Sequence, residues 1–272
     1  MNDTSTRVSS SDLPVESANH YDQFFGPLFF EPYAEEVAKR IISAPVSIAL
    51  EIAAGTGRVT RHIREVIPPA AKLIASDISG EMLAIAKKKL DQPDIDWQHI
   101  DAQQLPFDDN SIDLVVCCFG YMFVADRPKA FAEAYRVLTP GGQFLFTTWD
   151  KLQNNAASYT SRSIAKKYFD EPLPESYNLA TSMNDEAVIK PLLQDTGFSK
   201  ILIETVKLFS VSPTAKQASY TLVAGELYEE IRKRNPAWID EIKIELEKEL
   251  AEKFGAAPMT APMSAVISQA WK

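Results

Sequence analysis

An acid stands inside an otherwise apolar run in Ile48-Ala49-Leu50-Glu51-Ile52-Ala53-Ala54-Gly55-Thr56-Gly57, and the run breaks into a glycine turn. A second apolar run, Lys72-Leu73-Ile74-Ala75-Ser76-Asp77, ends on another acid. Between them Arg58 to Val66 reads as a polar helical segment. Two strands, a glycine turn, a helix and an acid at the second tip make a frame that holds a nucleoside. The glycines let the backbone approach a ligand closely, and the carboxylate at the strand tip can accept from both ribose hydroxyls.

The same residues narrow the choice of nucleoside. A dinucleotide fingerprint needs a third glycine or alanine, and Thr60 occupies that place in Gly55-Thr56-Gly57-Arg58-Val59-Thr60. Glu51 would repel a pyrophosphate but attract an ammonium group. A nicotinamide-dependent oxidoreductase is therefore disfavoured. The pattern suits a cationic ligand built from an amino acid and an adenosine, which describes S-adenosylmethionine.

The elements that must carry these residues alternate. Strands are predicted at 47–53, 72–77, 95–100, 112–119 and 142–149, with helices at 57–66, 80–90 and 127–138. The first, fourth and fifth strands are nearly continuous apolar runs, as parallel strands covered on both faces require. Phe131, Ala134, Tyr135 and Leu138 recur at helical spacing, and Thr139-Pro140-Gly141-Gly142 stops that helix. The fold class is α/β, a Rossmann-like doubly wound, mostly parallel sheet with a helical insertion. Residues 1–19 read as a mobile polar tail and 20–272 as one domain. Within that domain, 20–45 form an N-terminal lid, where Gly26-Pro27 forces a turn and a helix runs over 32–42. The segment 152–185, with scattered aromatics, reads as a helical cap over the crevice. A helix at 185–196, a strand at 198–210, helices at 213–234 and 236–254, and a last strand at 262–268 complete the pattern.

Bulk properties exclude some partners. Lys and Arg number 28 against 37 Asp and Glu, so the net charge of −9 disfavours nucleic acid and anionic membrane surfaces. No apolar run approaches the ~20 residues of a membrane span. Cys117 and Cys118 are neighbours in an apolar run and point to opposite faces of a strand, so they do not pair, and no metal site is read from them. A cytoplasmic protein is expected.

At this point a family resemblance is plain. Leu50-Glu51-Ile52-Ala53-Ala54-Gly55-Thr56-Gly57 resembles the first motif of the class I S-adenosylmethionine-dependent methyltransferases. The resemblance continues through Ala75-Ser76-Asp77-Ile78-Ser79-Gly80-Glu81-Met82 and Asp101-Ala102-Gln103-Gln104-Leu105-Pro106-Phe107. It ends with Phe119-Gly120-Tyr121-Met122-Phe123 and Arg136-Val137-Leu138-Thr139-Pro140-Gly141-Gly142. Together these motifs cover about residues 20 to 150 and are similar to the ubiquinone/menaquinone-biosynthesis-like (type 11) branch. The family usually has Gly-Cys where this chain has Ala53-Ala54.

The resemblance implies S-adenosylmethionine as cofactor and a set of contacts. Ala53, Gly55, Thr56 and Gly57 would pass close to its methionine part, and Glu51 would favour its ammonium. Asp77 would take the ribose, with Ile78 and Met82 packing the adenine or ribose. Asp101 would accept from the adenine amino group and the Ala102 amide would donate to the ring. Cys118 and Phe119 would lie along the methionine, and Tyr21 would fold over the ligand. Methyl transfer itself requires alignment and exclusion of water, and a base only where the acceptor must lose a proton. His20, Tyr121 and Asp126 are the candidates for that base.

The acid/Asn-Pro-Pro-aromatic motif of amino-methylating DNA enzymes is absent after the fourth strand, and so is a Pro-Cys nucleophile. Tyr121-Met122-Phe123 and the aromatic insertion point instead to a small organic acceptor, methylated at oxygen or carbon. The alternative is a protein that binds S-adenosylmethionine or S-adenosylhomocysteine without turnover.

Overall fold

The computed structural model describes residues 15–41, 45–171, 173 and 175–272. Its organising layer is a seven-stranded sheet. β1 (Ile48–Ile52), β2 (Lys72–Asp77), β3 (Ile95–His99), β4 (Ile112–Cys118) and β5 (Leu138–Trp149) run parallel. β7 (Met259–Trp271) lies antiparallel between β5 and β6 (Lys200–Ser212). The spatial order is β3-β2-β1-β4-β5-β7-β6, as a doubly wound fold requires. The central strands are buried on both faces, which explains their unbroken apolar character.

α3 (Arg58–Val66), α4 (Gly80–Lys89) and α5 (Arg127–Val137) connect the parallel strands. Ser79 caps α4 by accepting from the Met82 amide, and Asp126 caps α5 by accepting from the Lys129 amide. Phe131 of α5 drives into a fully buried aromatic group with Tyr121, Phe144 and Phe146. Its ring meets Tyr121 edge-on at 4.9 Å. The segment Thr139-Pro140-Gly141-Gly142 does not precede β5. It is an irregularity inside it, where pairing shifts between Ile112↔Leu138 and Leu114↔Gln143.

α6 (Ala156–Tyr168), α7 (Glu186–Thr196), α8 (Ala215–Leu222), α9 (Gly225–Arg234) and α10 (Trp238–Phe254) follow β5. The expected helix over 213–234 divides in two, because Gly225 takes a positive φ of 58° at the start of α9. Ile242, Leu246 and Leu250 form the buried stripe of α10. β6 is the edge strand and leaves Leu202, Phe209 and Val211 exposed. Among the described residues no helix is long and apolar enough to cross a membrane.

The N-terminal stretch departs from expectation. The tail expected over 1–19 lies outside the described residues up to position 14, and from Val15 the chain is helical. α1 (Val15–His20) runs into a π-helical segment (Tyr21–Phe30) and on into α2 (Glu31–Ala38). Gly26-Pro27 makes no turn; Pro27 sits inside the helix. Proline lacks an N–H and crowds the carbonyl one turn back, and the wider register, with the Glu31 amide on the Gly26 carbonyl, absorbs both defects.

Phe131→Ala opens a cavity at the centre of the aromatic group. We expect a loss of about 3–5 kcal/mol in urea unfolding, with an unchanged fold by circular dichroism.

Candidate functional site

The strand order reverses between β1 and β4, so a crevice opens outside the carboxyl ends of the parallel strands. Glu51 lies one residue before the end of β1, Asp77 is the last residue of β2 and Cys118 the last of β4. The glycine turn above them uses the left-handed region repeatedly, at Ala53 (φ 57°), Gly55 (φ 56°) and Gly57 (φ 79°). For Ala53 that conformation costs roughly 1–2 kcal/mol, which glycine would not pay. Its Cβ faces Gly120, where an added Cβ would stand 2.5 Å away and only 2.7 Å from the Cys117 sulfur. The crevice is thus closely built where β1 and β4 end.

Asp77 stitches the turn to β2. Its Oδ2 accepts from the Gly55 amide at 2.8 Å and its Oδ1 from the Ser79 amide at 2.8 Å. Burial nevertheless pushes its pKa upward against those bonds. Glu51 is more extreme. It is 1% exposed, and its Oε2 has no hydrogen-bond partner among the described residues. Burial raises its pKa to about 8, the nearby Thr60 hydroxyl opposes that rise, and the charge of Asp77 adds to it.

The other expected contacts gather at the same end of the sheet. Ile78 is 42% exposed beside Asp77, while Met82 is buried under the start of α4. Asp101 accepts from the amide and side chain of Gln103, which fixes its loop, and Ala102 is buried next to it. Cys118 is half-buried, and burial raises the pKa of its thiol. Phe119 takes a left-handed φ of 58° at the tip of β4, with its amide donating to Thr147. Thr56 donates its hydroxyl to Asp22 at 2.6 Å. Burial and then the charge of Asp77 raise the pKa of the Tyr21 phenol.

Sequence reasoning missed an aromatic wall. Phe119 and Trp149 stack with centroids 4.1 Å apart. Phe30 lies 5.3 Å and Tyr33 5.5 Å from Phe119, and Tyr21 stacks on Phe30 at 5.3 Å. The density of aromatics over 21–33 and the Trp149 at the end of β5 were the available signals. Tyr121 and Met122 do not contribute, because both are fully buried in the core, and only Phe123 is exposed.

Two candidate bases are corrected. Tyr121 donates its hydroxyl to the Ala130 carbonyl at 3.3 Å inside the aromatic core, where burial holds it far above its usual pKa. Asp126 serves as the cap of α5 on an exposed loop. His20 lies tilted against Phe24 at 4.7 Å, and burial and then the charge of Lys243 lower its pKa.

These residues fit a nucleoside with a cationic tail. The partnerless Glu51 oxygen offers a site for an ammonium, and Gly55, beside which a Cβ would meet nothing within 4 Å, leaves room at the turn. A family profile described as a methyltransferase domain matches residues 50–146. The chain is 30% identical over 171 residues to a ubiquinone/menaquinone biosynthesis C-methyltransferase, UbiE, of Pseudoalteromonas translucida, covering 61% of this chain and 62% of that protein. It is 36% identical over 171 residues to the UbiE of Saccharophagus degradans, with the same coverages of 61% and 62%. The chain thus spans less than two thirds of the length of these relatives. In three dimensions it resembles Haemonchus contortus phosphoethanolamine N-methyltransferase 2, solved with phosphomonomethylethanolamine and S-adenosylhomocysteine. That match has a TM-score of 0.60 at 19% identity, covering 97% of this chain and 59% of the other, and speaks for the fold.

The Glu51 proton sets a pH dependence. An ordinary glutamate titrates at 4.5, but in the folded protein Glu51 keeps its proton to about 8. The folded state therefore binds more protons between these values, so this contribution to stability is complete below the unfolded value and is lost as pH rises through about 8. We expect the melting temperature of the wild type to fall relative to Glu51→Gln from about pH 6 to 9. Parallel curves for the two proteins would show that Glu51 is already ionised.

Proposed function

We propose that this protein, whose residues 50–146 match a methyltransferase-domain profile, transfers a methyl group from S-adenosylmethionine to a small organic metabolite, at oxygen or carbon. The observation that carries this reading is the pair of buried carboxylates, Glu51 and Asp77, flanking a glycine turn at the head of adjacent parallel strands. S-adenosylmethionine is the cofactor, and it supplies a sulfonium whose methyl group is already activated for in-line displacement.

The chain's own residues do the rest. Asp77 holds the turn through Gly55 and keeps lone pairs for ribose hydroxyls. Glu51 gives up its proton to meet the ligand ammonium, and Gly55 and Gly57 let the backbone come close. Asp101, Ala102, Ile78 and Met82 border the place of the adenine. Cys118, as a neutral thiol, and the left-handed Phe119 border the methionine side. The Phe119–Trp149 stack, with Phe30 and Tyr33, excludes water from the reacting end and offers flat apolar surface to an acceptor.

We read the helical stretch from residue 20 as a lid and 152–185 as a cap that shapes the acceptor space. The net charge of −9 argues against a nucleic-acid substrate. Cys117 and Cys118 are both free, in keeping with a cytoplasmic location.

Labelled cofactor incubated with a pool of small phenols, quinols and hydroxylated metabolites should give labelled product. Label appearing only in nucleic acid or protein overturns the choice of acceptor, and binding without any product favours a non-catalytic role. Asp77→Ala should weaken cofactor binding by ~1–3 kcal/mol in calorimetry through lost charge-assisted bonds. An unchanged affinity removes Asp77 from the site.

A further inference from the structure

Two acids of the N-terminal helical stretch tie it to the nucleoside frame. Asp22 Oδ1 accepts from the Thr56 hydroxyl at 2.6 Å and from Lys89 Nζ at 2.5 Å. The same oxygen lies 3.5 Å from Arg58 Nη2, which also donates to the Asp22 carbonyl at 3.0 Å. Lys89 reaches the Thr56 carbonyl at 3.2 Å. Glu31 pairs with Arg58, Arg61 and His62. The side chains of Asp22 and Arg58 are only 18% and 19% exposed, so these pairs are screened less than surface ones. A cleft of about 600 Å3 lined by Asp22, Glu31, Arg58, Arg61 and Lys89 opens the network to solvent on its outer side.

The placement of these bonds gives them a use. Thr56 stands between Gly55 and Gly57, and Arg58 begins α3 directly after the turn. Lys89 ends α4, the helix that begins beyond the ribose-side acid Asp77. Tyr21, the neighbour of Asp22, stacks on Phe30, which in turn lies 5.3 Å from Phe119 at the tip of β4. Gly26 is needed for the same contact, since a Cβ there would collide with the Arg58 guanidinium. One helical stretch thus covers the site with a ring and grips the glycine turn with a carboxylate.

Resting on the reading of this crevice as the S-adenosylmethionine site, we propose that Asp22 is a positioning residue that clasps the N-terminal helical stretch to Thr56, Arg58 and Lys89. Opening of the site and loosening of the glycine turn are then a single event, and cofactor exchange requires it. Salt weakens the clasp from its solvent side, so exchange accelerates with ionic strength.

The test measures cofactor release by rapid mixing with excess S-adenosylhomocysteine, for wild type, Asp22→Asn, Lys89→Gln and the double variant. Amide exchange of the free proteins is followed in parallel. Asp22→Asn should speed release about tenfold at low salt and flatten its salt dependence. The double variant should release no faster than Asp22→Asn alone, because both changes break one network. Exchange should rise over residues 15–38 and stay unchanged in β1, β2 and β4. Wild-type release rates in Asp22→Asn, additive effects, or exchange rising equally across the sheet overturn the clasp. If the wild type binds no S-adenosylmethionine, the functional reading falls, and amide exchange of the free proteins alone decides the clasp.

Discussion

The site rests on the cost of holding carboxylates out of water. Glu51 and Asp77 are both buried at the tips of paired strands, and the charge of Asp77 disfavours that of Glu51. Asp77 meets that cost with backbone amides of the turn that it organises. Glu51 has no partner on Oε2 among the described residues, so it meets the cost by keeping a proton. With Asp77 at one tip and a Glu51 that can give up its proton to a cation, the crevice is complementary to positive charge and hostile to phosphate. That single electrostatic preference separates this protein from dinucleotide-binding relatives of the same architecture, whose glycine turns face an anion.

Much of this was legible in the residues. The β1 and β2 runs, the glycine turn and the two acids declare themselves locally, because parallel strands must be apolar throughout and a charge inside one is conspicuous. The boundaries of β2 and of α3 to α5 fall within a residue or two of their patterns for the same reason. What was hidden depends on long-range pairing or on backbone detail. No local pattern announces that β7 inserts between β5 and β6, or that Trp149 stacks on Phe119 thirty positions earlier. Gly26-Pro27 reads as a turn because helices rarely tolerate proline, and only the π register reveals how this one does. Tyr121 follows a strand tip in sequence, yet its ring turns back into the core, since an aromatic group under α5 was there to receive it.

The N-terminal helical stretch divides its labour by face. Tyr21 and Phe30 stack toward Phe119 and Trp149, whereas Asp22 and Glu31 reach α3 and α4. The strained Ala53 belongs to the same account. Its left-handed backbone is held in place by Gly120 on one side and by the Ala54 amide bonded to the Ser76 carbonyl on the other. The strain persists because the surrounding strands over-determine the turn.

The insertion of β7 also governs how the chain can be made. Strands β1 to β5 emerge in an order that lets each find a neighbour, but β6 leaves the ribosome before the strand that separates it from β5. Until β7 follows, Leu202, Phe209 and Val211 belong to a ribbon with no sheet to join. Vectorial synthesis therefore passes through a nascent species with a closed parallel half and an unpaired, apolar thirteen-residue strand, the kind of intermediate that chaperones recognise.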